Sequence, residues 1–248
     1  MDDEELMAMM KVDLPHGEVG GMRVEAFDVP DDPVTHLRQW GSRYPEPGTY
    51  TRLIEGDRVW MSDTRAERLD HLPAMREIRD MNEGSVLVNG LGLGCIITAA
   101  LRFDHVTTVV VVENDWRVLD LLAEHYVSMD RRVRIVEADA YEFDPHGTYD
   151  PFGVVWHDIW PAISTDNLPG MRDLFDKYKD CAYWQGAWAL SECVSMHAVE
   201  RELMDAVLDS NYGKVPTELA AEFGSWAVNQ DAIYGIADIA EHVGLVAE

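Results

Sequence analysis

The stretch VLVNGLGLG, residues 86–94, decides how the chain folds. Val86, Leu87 and Val88 form a short apolar run ending in Asn89, glycines then alternate with leucines, and CIITAAL (95–101) follows at once. A continuous apolar run of this length is expected of a strand buried on both faces. Gly90, Gly92 and Gly94 separate it from a segment of helical character. Glycine permits positive φ and lets a ligand approach the backbone, and a helix N-terminus offers free N–H groups. The pattern alone has two readings: a nucleotide-binding turn, or a tight turn between a buried strand and a buried helix.

Working outward, VTTVVVVEN (106–114), VRIVEAD (133–139) and FGVVWHDI (152–159) are further buried strands, with helices predicted from about Gly94 to Phe103 and over 115–127. Strands alternating with helices at this spacing predict parallel βαβ units with right-handed crossovers. The fold class is therefore α/β, a Rossmann-like, mostly parallel sheet with helices on both faces. Upstream, residues 1–48 are acidic and rich in turn signals, with VPDDP and YPEPG as breakers. Residues 49–64 read as a β-hairpin around Glu55-Gly56-Asp57, and 65–84 as one helix with Leu69, Leu72, Met75, Ile78 and Met81 on its apolar face. Downstream, 167–180 is helical beyond an early Pro-Gly, CAYW (181–184) is a short fifth strand, 186–210 is a long helix, and the residues from Asn211 suit further helix. This gives an N-terminal segment (1–82), a cofactor-binding core (83–195) and a helical C-terminal extension (196–248), together one structural domain.

Composition limits the function. The net charge of −26 arises from 46 acids against 20 bases and is spread along the chain. Such a field disfavours attraction to nucleic acid, and dense carboxylates suit a salt-rich cytoplasm, where ions screen their repulsion. A solvated acidic surface selected for solubility is the plainer alternative. If salt adaptation holds, lowering ionic strength unfolds the protein. No stretch is long and apolar enough to span a membrane, and the N-terminus lacks the basic region of a signal peptide. Cys95, Cys181 and Cys193 fit no metal-ligand spacing, and a reduced cytoplasmic compartment is expected. A homodimer is compatible with these features.

Four strand ends carry the chemistry. Beyond the glycines, Glu113 ends the second core strand, 19 residues after Gly94, at the place where a Rossmann-like fold keeps the acid that binds ribose hydroxyls. Asp139 ends the third strand and Asp158 the fourth. Ligands of open parallel sheets sit at these carboxyl ends.

Taken together, VLVNGLGLG, VVVVEND, VRIVEADA and VVWHDIWP resemble class I S-adenosylmethionine-dependent methyltransferases, particularly the branch containing spermidine synthases, over roughly residues 85–162. The hairpin and helix at 49–82 resemble the segment that precedes the core in spermidine synthases. The arrangement GTYTRL, WMSDT, NGLGLG, HDIWP, WQGAW also looks like uncharacterised methyltransferase-like proteins of tailed viruses and their hosts. The resemblance implies S-adenosylmethionine as cofactor. Gly90, Gly92 and Gly94 would line its methionine portion, with the adjoining Asn89 also at the cofactor, Glu113 would take the ribose hydroxyls with Asn114 beside the adenine, and Asp139 and Ala140 would meet the adenine amino group and ring. Asp158 falls at the catalytic acid of spermidine synthases, and Trp160 would face the acceptor.

Departures shape the expectation. Val88 stands where many methyltransferases carry an acid, Leu93 where spermidine synthases have Asp, and Trp160 where they have the second acid that holds the polyamine. A dication needs paired carboxylates to offset its desolvation. Methyl transfer to an unassigned acceptor is therefore the leading expectation, followed by aminopropyl transfer from the decarboxylated cofactor. The third is a non-catalytic protein that binds the cofactor or a partner. Trp156, Trp160, Trp184 and Trp188 are core residues or a stacking surface, and His157 is expected to point away from the cofactor because neighbouring strand residues alternate.

Overall fold

The computed structural model describes residues 1–39, 43–147 and 151–209. The described residues divide into two compact units, Met1–Pro161 with Leu174–Trp188, and Ala162–Asp173 with Ala189–Asp209.

The first 48 residues are more ordered than their turn signals predict. Helix α1 (Asp3–Met9) begins at a capping box. The Asp2 side chain accepts from the Glu5 backbone and Glu5 accepts from the Asp2 backbone, so two acids satisfy free helix N–H groups. Strands β1 (Gly17–Val19) and β2 (Met22–Val29) and helix α2 (Pro33–Gln39) follow. The expected hairpin is present as β3 (Gly48–Glu55) and β4 (Arg58–Ser62), joined through Gly56 at φ +58°. All four strands make one antiparallel sheet in the order β1-β2-β3-β4. Its buried face alternates along β2 through Met22 and Val24, as one-sided burial requires.

The single helix expected over 65–84 is instead two, α3 (Arg65–Asp70) and α4 (Leu72–Asp80), broken at His71. Pro73 is the cause. It has no N–H to bond back, and its ring would crowd the carbonyl four residues earlier, so it suits only the first turn of a new helix. The break leaves Leu69 exposed, whereas Leu72, Met75 and Ile78 are buried.

The second sheet of this unit is parallel throughout. Its strands are β5 (Gly84–Asn89), β6 (Val106–Glu113), β7 (Val133–Glu137), β8 (Phe152–His157) and β9 (Ala182–Ala187), in the order β7-β6-β5-β8-β9. This is the Rossmann-like α/β sheet expected, with helices α5 (Cys95–Ala100) and α6 (Trp116–Met129) crossing over between its first three strands. Valines at 109–112 are at most 1% exposed, and β-branched residues pack well on such a doubly covered strand. Leu87, Val110, Val112 and Val155 form one core cluster with Leu174 and Tyr178 of helix α7 (Leu168–Tyr178).

The fifth strand runs further than CAYW, to Ala187, so the following helix α8 (Leu190–Asp209) starts later than predicted, after a turn in which Ala189 adopts φ +53°. In the second unit a 3₁₀ turn at Thr165–Asn167 is capped by Ser164. The helix expected beyond Asn211 lies outside the described residues. Among the described residues no helix is long and apolar enough to cross a membrane, and Cys95, Cys181 and Cys193 are buried free thiols.

Candidate active site

Connectivity reverses between β5 and β8, and open parallel sheets leave a crevice at such a switch point. Gly90 follows β5 and Asp158 follows β8. The Asp158 N–H donates to the Asn89 carbonyl at 2.8 Å, which holds the two strand exits side by side.

Each glycine of the turn is required by a protein neighbour. A Cβ on Gly90 would lie 2.1 Å from the Asp158 carbonyl oxygen, one on Gly92 2.5 Å from Met61 Sδ, and one on Gly94 2.3 Å from the Tyr126 ring. All three residues also have positive φ. Four of the five backbone N–H groups from Gly90 to Gly94 already donate: Gly90 to the Val112 carbonyl (2.8 Å), Leu91 to Glu113 Oε2 (2.8 Å), Leu93 to Met61 Sδ (3.2 Å) and Gly94 to the Leu91 carbonyl (2.7 Å). A turn whose amides are engaged in this way is a poor phosphate cradle, because a phosphate needs those N–H groups free.

In front of the turn lies a cleft of about 640 Å³, the size of small-molecule sites generally. Of the residues singled out in the sequence, Gly90, Gly92, Glu113, Asn114, Asp139, Ala140, Asp158 and Trp160 line it together; Asn89 and Gly94 do not. Asn89 is fully buried behind the wall, and Gly94 packs against Tyr126. Glu67, Glu113, Asp115, Asp139 and Asp158 are the ionisable carboxylates of the lining, and the lining contains no Lys, Arg or His. A cleft with this donor set attracts cations, hydroxyls and amino groups and repels phosphates.

The strand-end acids are held differently. Both Glu113 oxygens accept backbone N–H groups: Oε2 from Leu91, and Oε1 from Asn114 and Asp115, each at 2.8 Å. The carboxylate is thereby fixed, and of its four lone-pair sites one, on Oε2, is left for a further donor. Asp139 lies two residues beyond β7 and accepts the Tyr141 N–H through Oδ1 at 2.8 Å. Asp158 makes no hydrogen bond through its carboxyl; its approach to His71 Nε2 is 3.8 Å. Burial, reinforced by the charges of Glu67, Asp70 and Glu113, raises its pKa to about 8. Burial also raises Glu67, with help from Asp70, to about 7. His71, 1% exposed, is driven down to about 4 by burial. At neutral pH the Asp158–His71 pair is thus a protonated acid beside a neutral imidazole, and their 3.8 Å approach is not an ion pair.

The N-terminal sheet supplies the opposite wall through Leu53, Val59, Trp60 and Met61, and Trp188 closes one side. The Trp188 indole N–H donates to Asp70 Oδ2 at 3.1 Å, and Arg43 grips the same carboxylate with contacts of 2.9 and 2.5 Å. Of the four tryptophans singled out in the sequence, Trp160 and Trp188 reach the cleft, while Trp156 is buried and stacks on Trp184 with ring centroids 6.4 Å apart. Trp60, Met61, Glu67 and His71 were not foreseen as site residues. For His71 the local signal was Pro73, which breaks the helix at that residue.

Behind the wall runs a closed polar network. Asn89 Nδ2 meets His157 Nδ1 at 2.8 Å, His157 Nε2 meets Gln185 Oε1 at 3.3 Å, and Gln185 Nε2 donates to the Phe175 carbonyl at 2.9 Å. The Tyr178 hydroxyl lies 3.2 Å from Asn89 Oδ1 and 3.3 Å from the Ala140 carbonyl. Here Asn89 donates to Nδ1, so His157 carries its proton on Nε2. His157 points away from the cleft, as strand alternation predicts.

No protein-family model matches the chain, and no curated protein matches it. Among solved structures, spermidine synthase from Thermotoga maritima is similar over 70% of this chain and 55% of its own, with 18% identity and a TM-score of 0.43. A putative RNA methyltransferase from Pyrococcus horikoshii is similar over 50% of this chain and 60% of its own, with 18% identity and a TM-score of 0.37. Precorrin-6y C5,15-methyltransferase from Geobacter metallireducens is similar over 54% of this chain and 67% of its own, with 15% identity and a TM-score of 0.39. The chain thus spans little more than half the length of the spermidine synthase it matches. These are likenesses of fold.

Proposed function

We propose that the protein is an S-adenosylmethionine-dependent transferase that moves a methyl group to an acceptor. The observation that carries this reading is the pairing of a phosphate-averse glycine turn with a cleft whose ionisable lining is entirely acidic. A dinucleotide needs free amides or cations for its pyrophosphate. An adenosyl sulfonium needs acceptors for its hydroxyls and amino group and tolerates, or benefits from, nearby negative charge. Glu113 takes a ribose hydroxyl through its remaining Oε2 lone pair, Asp139 and Ala140 border the adenine, and Gly90 and Gly92 line the cleft beside the methionine portion. The cofactor, when bound, supplies a methyl group already activated by positive sulfur. The protein's work is then to orient the acceptor in line with that methyl and to exclude water. Trp60, Trp160 and Trp188 wall off the acceptor side, and Asp158 orients the acceptor's nucleophilic atom.

A specific observation favours aminopropyl transfer as the second reading. Trp160 replaces the second acid of spermidine synthases in the sequence, yet Glu67 reaches the same cleft as Asp158, with Asp70 adjacent. Those carboxylates restore a paired-acid environment for a polyamine.

Calorimetric titration with S-adenosylmethionine tests the cofactor site. The unmodified protein is expected to bind, and Glu113→Ala to weaken binding at least tenfold, the equivalent of about 1.4 kcal/mol. Absence of binding by the unmodified protein overturns both transferase readings. Spermidine formation from the decarboxylated cofactor and putrescine, lost in Asp158→Asn, would place the second reading first.

A further inference from the structure

We propose that His71 is the positioning residue for Asp158, its Nε2–H being the hydrogen bond that the Asp158 carboxylate gains when a cation enters the cleft. The inference rests on the transferase reading only for the identity of that cation.

Both ring nitrogens of His71 are buried without a hydrogen-bond partner, and buried polar groups are almost always satisfied, so an exception calls for a cause. The site is built to hold the ring there. Pro73 ends α3 and starts α4 around it, and the Trp156 indole meets it edge-on, with centroids 5.9 Å apart and planes at 79°. Nε2 lies 3.8 Å from Asp158 Oδ2, one modest side-chain rotation short of a hydrogen bond. Asp158 has no hydrogen-bonding partner of its own and keeps 15% exposure toward the cleft.

The groups around Asp158 explain why the bond is not made in the free protein. Glu67 and Asp70 face it from α3, Glu113 from β6 and the Cys95 thiol from α5, with Asp63 also near that thiol; the cations near this cluster among the described residues are Arg43, which bonds Asp70, and Arg68, which donates to the Met7 carbonyl. Among so many acids Asp158 keeps its proton, and a protonated acid has little need of a donor. A sulfonium or ammonium entering the cleft offsets the surrounding charge. Asp158 then releases its proton to solvent, and the carboxylate accepts from Nε2–H. Oδ2 is thereby fixed on His71, and Oδ1 is turned toward the acceptor. The ring stays neutral throughout, with its Nδ1 lone pair unpartnered, and no other bond is made or broken.

Two measurements test this. The first titrates S-adenosylmethionine and the uncharged thioether S-adenosylhomocysteine between pH 6 and 9, in buffers of different ionisation enthalpy that report proton release. For the unmodified protein, sulfonium binding at pH 7 is expected to release protons, and its preference over the thioether to grow with pH. In His71→Phe that preference at pH 7 falls about tenfold, the equivalent of one pKa unit, and His71→Gln, which retains a donor at the same reach, restores it. An unchanged preference and unchanged proton release in His71→Phe overturn the proposal. The second measurement needs no ligand and separates this proposal from the transferase reading: carboxyl ¹³C NMR of Asp158 in the free protein. Its titration is expected to move upward in His71→Phe and return in His71→Gln; an identical titration in all three proteins overturns the role of His71 whether or not the cofactor binds.

Discussion

Strand β8 has a buried histidine against each of its faces, and the two are opposites. His157, at its end, and His71, packed on Trp156, are both 1% exposed or less, and burial depresses both to a pKa of about 4. On one face Asn89 and Gln185 partner both nitrogens of His157; on the other, His71 has no partner and faces an acid that has none either. Solvent exclusion is equal, so it cannot distinguish the two roles. What differs is saturation. A framework closes its hydrogen bonds in the free protein, whereas a site keeps donors and acceptors open for a ligand. The glycine turn belongs with the framework on this criterion, because its amides are engaged, and the acidic strand ends belong with the site.

The largest effect should come from breaking the closed face. His157→Leu removes a ring that serves two buried polar side chains, leaving Asn89 Nδ2 and Gln185 Oε1 unpaired. At roughly 1–3 kcal/mol for each orphaned group, the loss should be about 3–5 kcal/mol, read from urea unfolding curves. The Asn89 backbone also holds Asp158, so cofactor binding should weaken as well. A loss below about 1 kcal/mol would break the contrast, because the network would then not be a framework.

These two faces were unequally legible in the sequence. Strands with unbroken apolar runs announce themselves, because burial on both faces removes every polar residue, and their order fixes which ends gather at the switch point. Gly90, Glu113, Asp139 and Asp158 therefore followed from local patterns. Asn89 and Gly94 belonged to the same motif, but one residue's difference in strand register sends a side chain to the opposite face, and Asn89 faces the network. The other half of the cleft depends on tertiary packing of the N-terminal sheet. Nothing near Trp60 or Met61 in the sequence encodes that β4 faces the glycine turn. Residues 1–48 read as turn-rich because their acids look like loop composition, yet Asp2 and Glu5 are helix caps. His71 was hidden because apolar spacing across 65–84 outweighed Pro73, a conflict between periodicity and backbone chemistry that the backbone won.

The open face makes a prediction whose size depends on pH and whose sign is defined. The folded pKa of Asp158, about 8, lies above its ordinary 3.8, so between those values the folded state binds more protons than the unfolded one. Stability from this group is full below pH 4 and is lost as pH rises toward 8, with a slope of at most roughly 1.4 kcal/mol per pH unit. Asp158→Asn removes the ionisation. The variant should melt at nearly the same temperature as the parent at about pH 4 and progressively above it toward pH 8, while acceptor chemistry is lost. Such a gain is expected where a site holds a destabilised group for function. Equal melting temperatures across the range would place Asp158 in the framework.

The smallest effect is expected where the histidine is unpartnered. His71→Phe deletes no hydrogen bond, since neither ring nitrogen makes one, and exchanges one planar ring for another against the Trp156 edge. The loss of two orphaned polar atoms favours the variant, and the slightly larger ring opposes it. The net change in unfolding free energy should stay within about 1 kcal/mol of zero, measured in the same urea experiment as His157→Leu. The pairing of the two variants is the sharpest form of the comparison, because equal burial would lead area alone to predict equal losses. If His71→Phe destabilised as strongly as His157→Leu, His71 would be a structural residue with a partner formed in solution. A near-neutral His71→Phe whose Asp158 titration moves identifies a side chain retained for the proton it offers rather than for the fold it supports.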